Sequence, residues 1–191
     1  TTDAILAMHK ALLERSRPDI AGSFRDRPVW IGGLSPHTAT FVGPHHVRIP
    51  ELMNDIDAFI ARFDLPRLAQ IAIAHAQFET IHPFEDGNGR TGRALVQVLL
   101  RRYGIASGST IPLSAGLLSE VSNYFDALQR YRSGDVRPIL ESFVRASVRA
   151  VELGTGLLQA IGQANSIHSS MCSDREDSVA KRLIPLLSQH P

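Results

Sequence analysis

Apolar residues recur at three- and four-residue steps through most of the chain, the period of an amphipathic helix. Ile5, Leu6, His9, Leu12 and Leu13 form such a stripe over 3–14, with Thr2 or Asp3 as cap and Pro18 beyond its end. Pro50 and Glu51 open a second helix carrying Leu52, Ile56, Phe59, Ile60 and Phe63. Pro66 opens a third that runs to Ile81, and its small side chains and few charges predict burial among other helices. A fourth, over 90–101, places Arg90, Arg93, Gln97 and Arg101 on one face with Leu95 and Leu99 opposite. Leu100 falls near the arginines, so that face is expected to be only partly wet. The segments 117–131 and 136–153 continue the pattern, divided by Ser133-Gly134-Asp135, which can end one helix and cap the next.

The period changes in two places. Val29-Trp30-Ile31 and 38–42 are short β-rich runs around the breaker-rich segment 32–37, which predicts a β-hairpin. Residues 165–177 are polar and lose the helical period, whereas 178–188 regains it through Val179, Leu183, Ile184 and Leu187 despite Pro185. The reading is a mainly α domain over 1–164, then a polar linker and the first helix of an appended module over 165–191.

Composition narrows the class. A length of 191 residues suits one core, and 43% apolar with 20% charged residues excludes a disordered or fibrous chain. A formal charge of +1 leaves no global excess to attract nucleic acid or an anionic membrane, so any anion must be bound locally. Cys172 stands alone, and no apolar run approaches the roughly 18 residues of a membrane span or has the layout of a signal peptide. A cytoplasmic setting is expected. The chain opens on Thr1 and stops at Pro191, which suggests a piece of a longer protein.

Candidate chemistry is concentrated in His82-Pro83-Phe84-Glu85-Asp86-Gly87-Asn88-Gly89-Arg90, between the third and fourth helices. Gly87 and Gly89 permit positive φ and close approach of a ligand, and the N–H groups that open the next helix point outward, as a phosphate requires. Helix-end electrostatics contribute about 0.3–1 kcal/mol at an exposed site, too little for a polyanion, so Arg90 and Arg93 must help with bidentate guanidinium contacts. A triphosphate usually carries Mg²⁺ on one or two carboxylates, phosphate oxygens and water, which makes Asp86 the metal ligand. His82, ionising near neutral pH, can take a proton from an incoming hydroxyl as general base. Phe84 is read as a core anchor for the loop and Pro83 as its stiffener.

These residues match His-Pro-Phe-any-Asp/Glu-Gly-Asn-Gly-Arg-any-any-Arg at every defined position, and the chain resembles the Fic family over about residues 3–153. Residues 74–81, 22–25 and 29–33 also resemble family members. The resemblance implies an all-helical core with a β-hairpin flap and Mg²⁺-dependent transfer of AMP from ATP to a Ser, Thr or Tyr hydroxyl of a target protein. It makes His82 the base, Asp86 the Mg²⁺ ligand, Gly87, Asn88 and Gly89 the phosphate cradle, and Arg90 and Arg93 the phosphate clamps. It makes Thr38, Ala39, Thr40 and Phe41 part of a flap whose edge docks an extended target segment. Tyr124 and Phe125 lie on an apolar stripe and read as core, although the resemblance puts this region near the adenine.

Other readings stay open. The same site could remove AMP, transfer another phosphate-containing group, or only bind a nucleotide in a regulator. The tail could dock on the core, reach a second subunit in a homodimer, or begin a winged-helix-like module, the one route to nucleic acid. His75, Glu79 and His82 could be drawn as a zinc set, but a satisfied core histidine and a structural carboxylate are the commoner reading. His45, His46, His168 and Cys172 are read as surface residues. Many Fic proteins resemble one another in an inhibitory helix, Ser/Thr-any-any-any-Glu-Gly/Asn, whose glutamate pairs with the second motif arginine. No glutamate within 1–191 is followed by Gly or Asn, so Arg93 is expected to be available to a nucleotide.

Overall fold

The computed structural model describes residues 2–106 and 110–171. Within them are seven α-helices and one short hairpin: α1 (Thr2–Leu13), β1 (Trp30–Ile31), β2 (Phe41–Val42), α2 (Ile49–Ile60), α3 (Arg67–Ile81), α4 (Asn88–Arg102), α5 (Leu113–Ser119), α6 (Val121–Arg132) and α7 (Arg137–Met171). No helix among the described residues is long and apolar enough to cross a membrane. The helix expected over 178–188, Cys172 and the side chain of His168 lie outside the described residues.

α3 is the central element. It buries Ile71, Ala72, Ala74, Ala76, Phe78 and Ile81, so its burial extends round the helix as its composition predicts. The alanines let neighbouring helices approach, and α3 packs against α2, α4, α6 and α7. α1 contributes Ile5, His9 and Leu13 from the predicted stripe and packs on α4. Asp135 Oδ1 accepts the N–H of Arg137 at 3.2 Å, the cap expected for α7.

Several expectations need correction. Phe63 follows the end of α2 and is 83% exposed, with the Arg67 guanidinium 5.1 Å above its ring instead of a core around it. Leu100, by contrast, is buried, as a partly wet arginine face implies, and the chain beyond Tyr103 folds back so that the N–H groups of Ile105 and Ala106 both donate to its carbonyl. The segment 117–131 is two helices, since Glu120 takes φ −127° and ψ 53° between α5 and α6. Residues 165–171, expected as polar linker, continue α7. In the hairpin only 41–42 of the second run pair with β1, as Trp30↔Val42 and Ile31↔Phe41. Thr38 closes the turn instead, its Oγ1 accepting the N–H groups of Leu34 and Ser35 at 3.2 Å.

Candidate functional site

α3 ends where Pro83 follows, because proline disfavours helical backbone at the residue before it. His82 takes φ 51° and ψ 60°, the one positive-φ non-glycine among the described residues, and so turns its side chain out of the helix line. An L residue there costs on the order of 1 kcal/mol, and Arg25 offsets it. The Arg25 side chain is 5% exposed and donates from Nε to His82 O at 2.8 Å, with further bonds to Ile81 O and Pro44 O. A cation at the carbonyl end of α3 also complements the helix dipole.

The loop is held from below. Phe84 is fully buried and stacks on His9 at 3.7 Å between ring centroids, with Phe24 and Phe78 around it. Gly22 N–H donates to His9 Nδ1, so the His9 proton is on Nε2 and donates to Asp86 O at 3.0 Å. Burial pushes the His9 pKa down and favours that neutral form. Asn88 closes the loop on itself, accepting from Phe84 N at 2.9 Å and donating to Phe84 O at 2.8 Å. Its side chain is therefore a loop staple, and only its main chain is left for a phosphate cradle.

Gly87, at φ 79°, caps α4 without a side-chain bond. Its own N–H donates to Asp86 Oδ1 at 2.6 Å, and the first bond into the helix is Thr91 N to Gly87 O. Among the described residues no bond uses the N–H groups of Asn88, Gly89 or Arg90, so these three amides are open to an anion at the helix end. Arg90 and Arg93 flank them, and all line one cleft of about 290 Å³ with His82, Glu85, Asp86 and Gly87. Asp86 Oδ2 pairs with Arg90 at 3.1 Å, both side chains about half exposed. Such a pair contributes at most about 1 kcal/mol, so a triphosphate could readily separate it.

The other end of the cleft is more buried, around His82 and Glu79. His82 Nδ1 faces Glu79 O at 3.4 Å and Glu79 Oε2 at 3.9 Å, both acceptors, which puts the proton on Nδ1 and the lone pair on Nε2. Burial, helped by Arg132 and Arg25, pushes the imidazole down to about 4, so the ring is neutral at pH 7, with Nε2 free to take a proton. His75, the expected satisfied core histidine, bonds Gly92 O at 3.1 Å and the Tyr124 hydroxyl at 2.8 Å. No group of three His, Cys, Asp or Glu among the described residues is arranged to hold a metal by itself.

The structure separates the two aromatic candidates. Tyr124 is mostly buried with its hydroxyl on His75, whereas Phe125 is 56% exposed. The hairpin is tied to α6: the Arg132 guanidinium lies 3.9 Å over the Phe41 ring, and Gln129 Nε2 donates to Thr40 O at 3.2 Å. Thr40 N–H donates to Ile31 O at 2.9 Å, so it is not the free edge donor that the flap reading expects. Thr38 and Thr40 are exposed and Ala39 is half-buried. At the tip Leu34 is 98% exposed, with Trp30 and Val42 also open, an apolar surface that strand periodicity does not reveal. His9, Arg25, Gln129 and Arg132 were likewise hidden, because their roles depend on contacts distant in sequence.

The model of the Fic/DOC family matches residues 1–100. The chain is 32% identical over 156 residues to "Protein adenylyltransferase Fic" of Aedes aegypti, covering 80% of this chain and 29% of that protein. It is 26% identical over 183 residues to "Protein adenylyltransferase fic-1" of Caenorhabditis elegans, covering 95% of this chain and 34% of that protein. A crystal structure of a Fic family protein from Desulfovibrio desulfuricans G20 superposes with a TM-score of 0.70 at 28% identity, covering 82% of this chain and 47% of that one. The chain thus spans about a third of the length of these curated relatives.

Proposed function

This chain belongs to the Fic/DOC family, and on that premise we propose that it moves AMP from ATP to a hydroxyl of a target protein. The observation that carries the reading is one cleft lined at one end by a neutral histidine and at the other by unpaired helix amides and two arginines. The names of the curated relatives support it.

In this mechanism the hydroxyl oxygen forms a bond to the α-phosphorus, its proton passes to His82 Nε2, and the bond to the departing diphosphate breaks in line. Arg90, Arg93 and the amides of Asn88, Gly89 and Arg90 bind the phosphate oxygens, which carry more charge toward the leaving group as the bond breaks. Asp86 suits Mg²⁺ brought in with the nucleotide, because a single half-exposed carboxylate at the cleft is a fitting protein share for that ion. Mg²⁺ held there supplies charge neutralisation to the phosphates. Phe125 is the open aromatic for the adenine, and Leu34, Trp30 and Val42 give the hairpin an apolar surface for the target segment.

The test is ATP labelled at either the α- or the γ-phosphorus, incubated with the protein and a cell lysate. Label from the α position is expected on protein and label from the γ position is not. Nucleotide binding without labelling of any protein, the chain itself included, would refute transfer. Loss of label from a protein already carrying AMP would point to the reverse reaction.

A further inference from the structure

Glu79 lies one turn before His82 on α3 with 6% of its surface exposed. Its Oε2 stands 3.9 Å from His82 Nδ1, and its Oε1 is buried without a hydrogen-bond partner. A structural carboxylate so deeply placed would be expected to have both oxygens bonded. Nor does the position come without accommodation on α4. A Cβ at Gly92 would stand 2.5 Å from Glu79 Oε1, so a larger residue there would have to displace the Glu79 carboxylate from its place. Glycine is the poorest helix former after proline, and Gly92 fills one of the motif positions where any residue is allowed. The room it leaves is occupied by the Glu79 carboxylate.

We propose that Glu79 is a positioning residue for His82: its carboxylate faces Nδ1, holds the proton on that nitrogen, and compensates the positive charge the ring gains when Nε2 takes a proton. The inference rests on the AMP-transfer reading for the source of that proton, the target hydroxyl. The hydroxyl oxygen bonds to the α-phosphorus, diphosphate leaves, and the imidazolium remains beside the carboxylate until it releases its proton. His82 needs such a neighbour because its burial, with Arg132 and Arg25 facing it, opposes the charged ring.

The surroundings set when the carboxylate is ionised. Burial raises Glu79 to about 7, while Arg93 from α4 and Arg132 from α6 pull it down. Tyr124 from α6 faces it as a hydroxyl held protonated by burial, and His75 on its own helix is neutral, pushed down to about 4. Glu79 is thus protonated below neutral pH and ionised above it. The sign follows: AMP transfer gains the carboxylate's help as pH rises through neutrality and loses it as pH falls.

Glu79→Gln removes the charge and keeps the shape. The nitrogen shifts of the His82 ring, assigned with a His82→Asn sample, are followed by NMR against pH in the intact chain. AMP transfer is measured across the same range. In the wild type the His82 nitrogen shifts are expected to carry a second step near neutral pH, where Glu79 ionises, and the variant is expected to lose that step. It is also expected to lower kcat about tenfold or more, with KM for ATP within about twofold and the acid limb of kcat moved to lower pH. Glu79→Asp, which keeps the charge but withdraws it, should retain a smaller step. Identical His82 titrations in wild type and variants would overturn the proposal, as would an unmoved acid limb accompanied by a large loss of ATP affinity. Absence of transfer by the wild type would refute the functional reading alone, since the His82 titration does not depend on activity.

Discussion

Asn88 commits both ends of its amide to the backbone of Phe84 and is almost fully buried. Its place in the motif suggests a phosphate contact, but the geometry makes it the residue that keeps the loop closed. Removing it leaves a buried N–H and a buried carbonyl without partners, which typically costs about 1–3 kcal/mol. Asn88→Ala is therefore expected to lower the free energy of unfolding by about that amount, measured by urea denaturation with an unchanged slope. A change below about 0.5 kcal/mol would mean that His9 and Phe84 hold the loop unaided. The motif itself was legible because its residues are contiguous and chemically unusual. Its supports were not: His9 reaches Asp86 from α1, Arg25 reaches His82 from the segment before the hairpin, and Arg132 approaches Glu79 from α6. Such contacts leave no trace in local spacing.

The helices were legible wherever an apolar stripe met a cap or a proline, as in α2, α3 and the start of α7. The errors arose where tertiary contacts changed a pattern that locally reads as something else. Phe63 fits the stripe of α2 yet lies past its end and stays exposed. The hairpin shows the same effect, because five pairable residues in the second run yield only two paired ones and a turn. Thr40→Pro removes the Thr40 to Ile31 bond and disturbs the register that Gln129 and Arg132 of α6 hold on Thr40 and Phe41. If the hairpin docks the target, labelling of an external target falls several-fold while ATP affinity measured by calorimetry stays within about twofold. Equal falls in the folded variant would show that the hairpin supports the nucleotide end instead.

At the scale of the whole molecule, one buried helix organises the chemistry. α3 carries His75 and Glu79 in its interior and delivers His82 at its end, while α4 begins at the anion site and presents Arg90 and Arg93 from its first turns. The proposed base and the proposed anion site thus belong to different helices joined by a stapled loop. This predicts that the two functions can be separated. His82→Asn is the suitable probe, because asparagine tolerates the left-handed backbone at this position and cannot act as a base. AMP transfer to protein and calorimetric affinity for ATP with Mg²⁺ are measured on the same variant. Transfer is expected to fall about 10²-fold or more with affinity within about threefold of the wild type. Transfer at the wild-type rate, or a parallel collapse of affinity, would contradict the account.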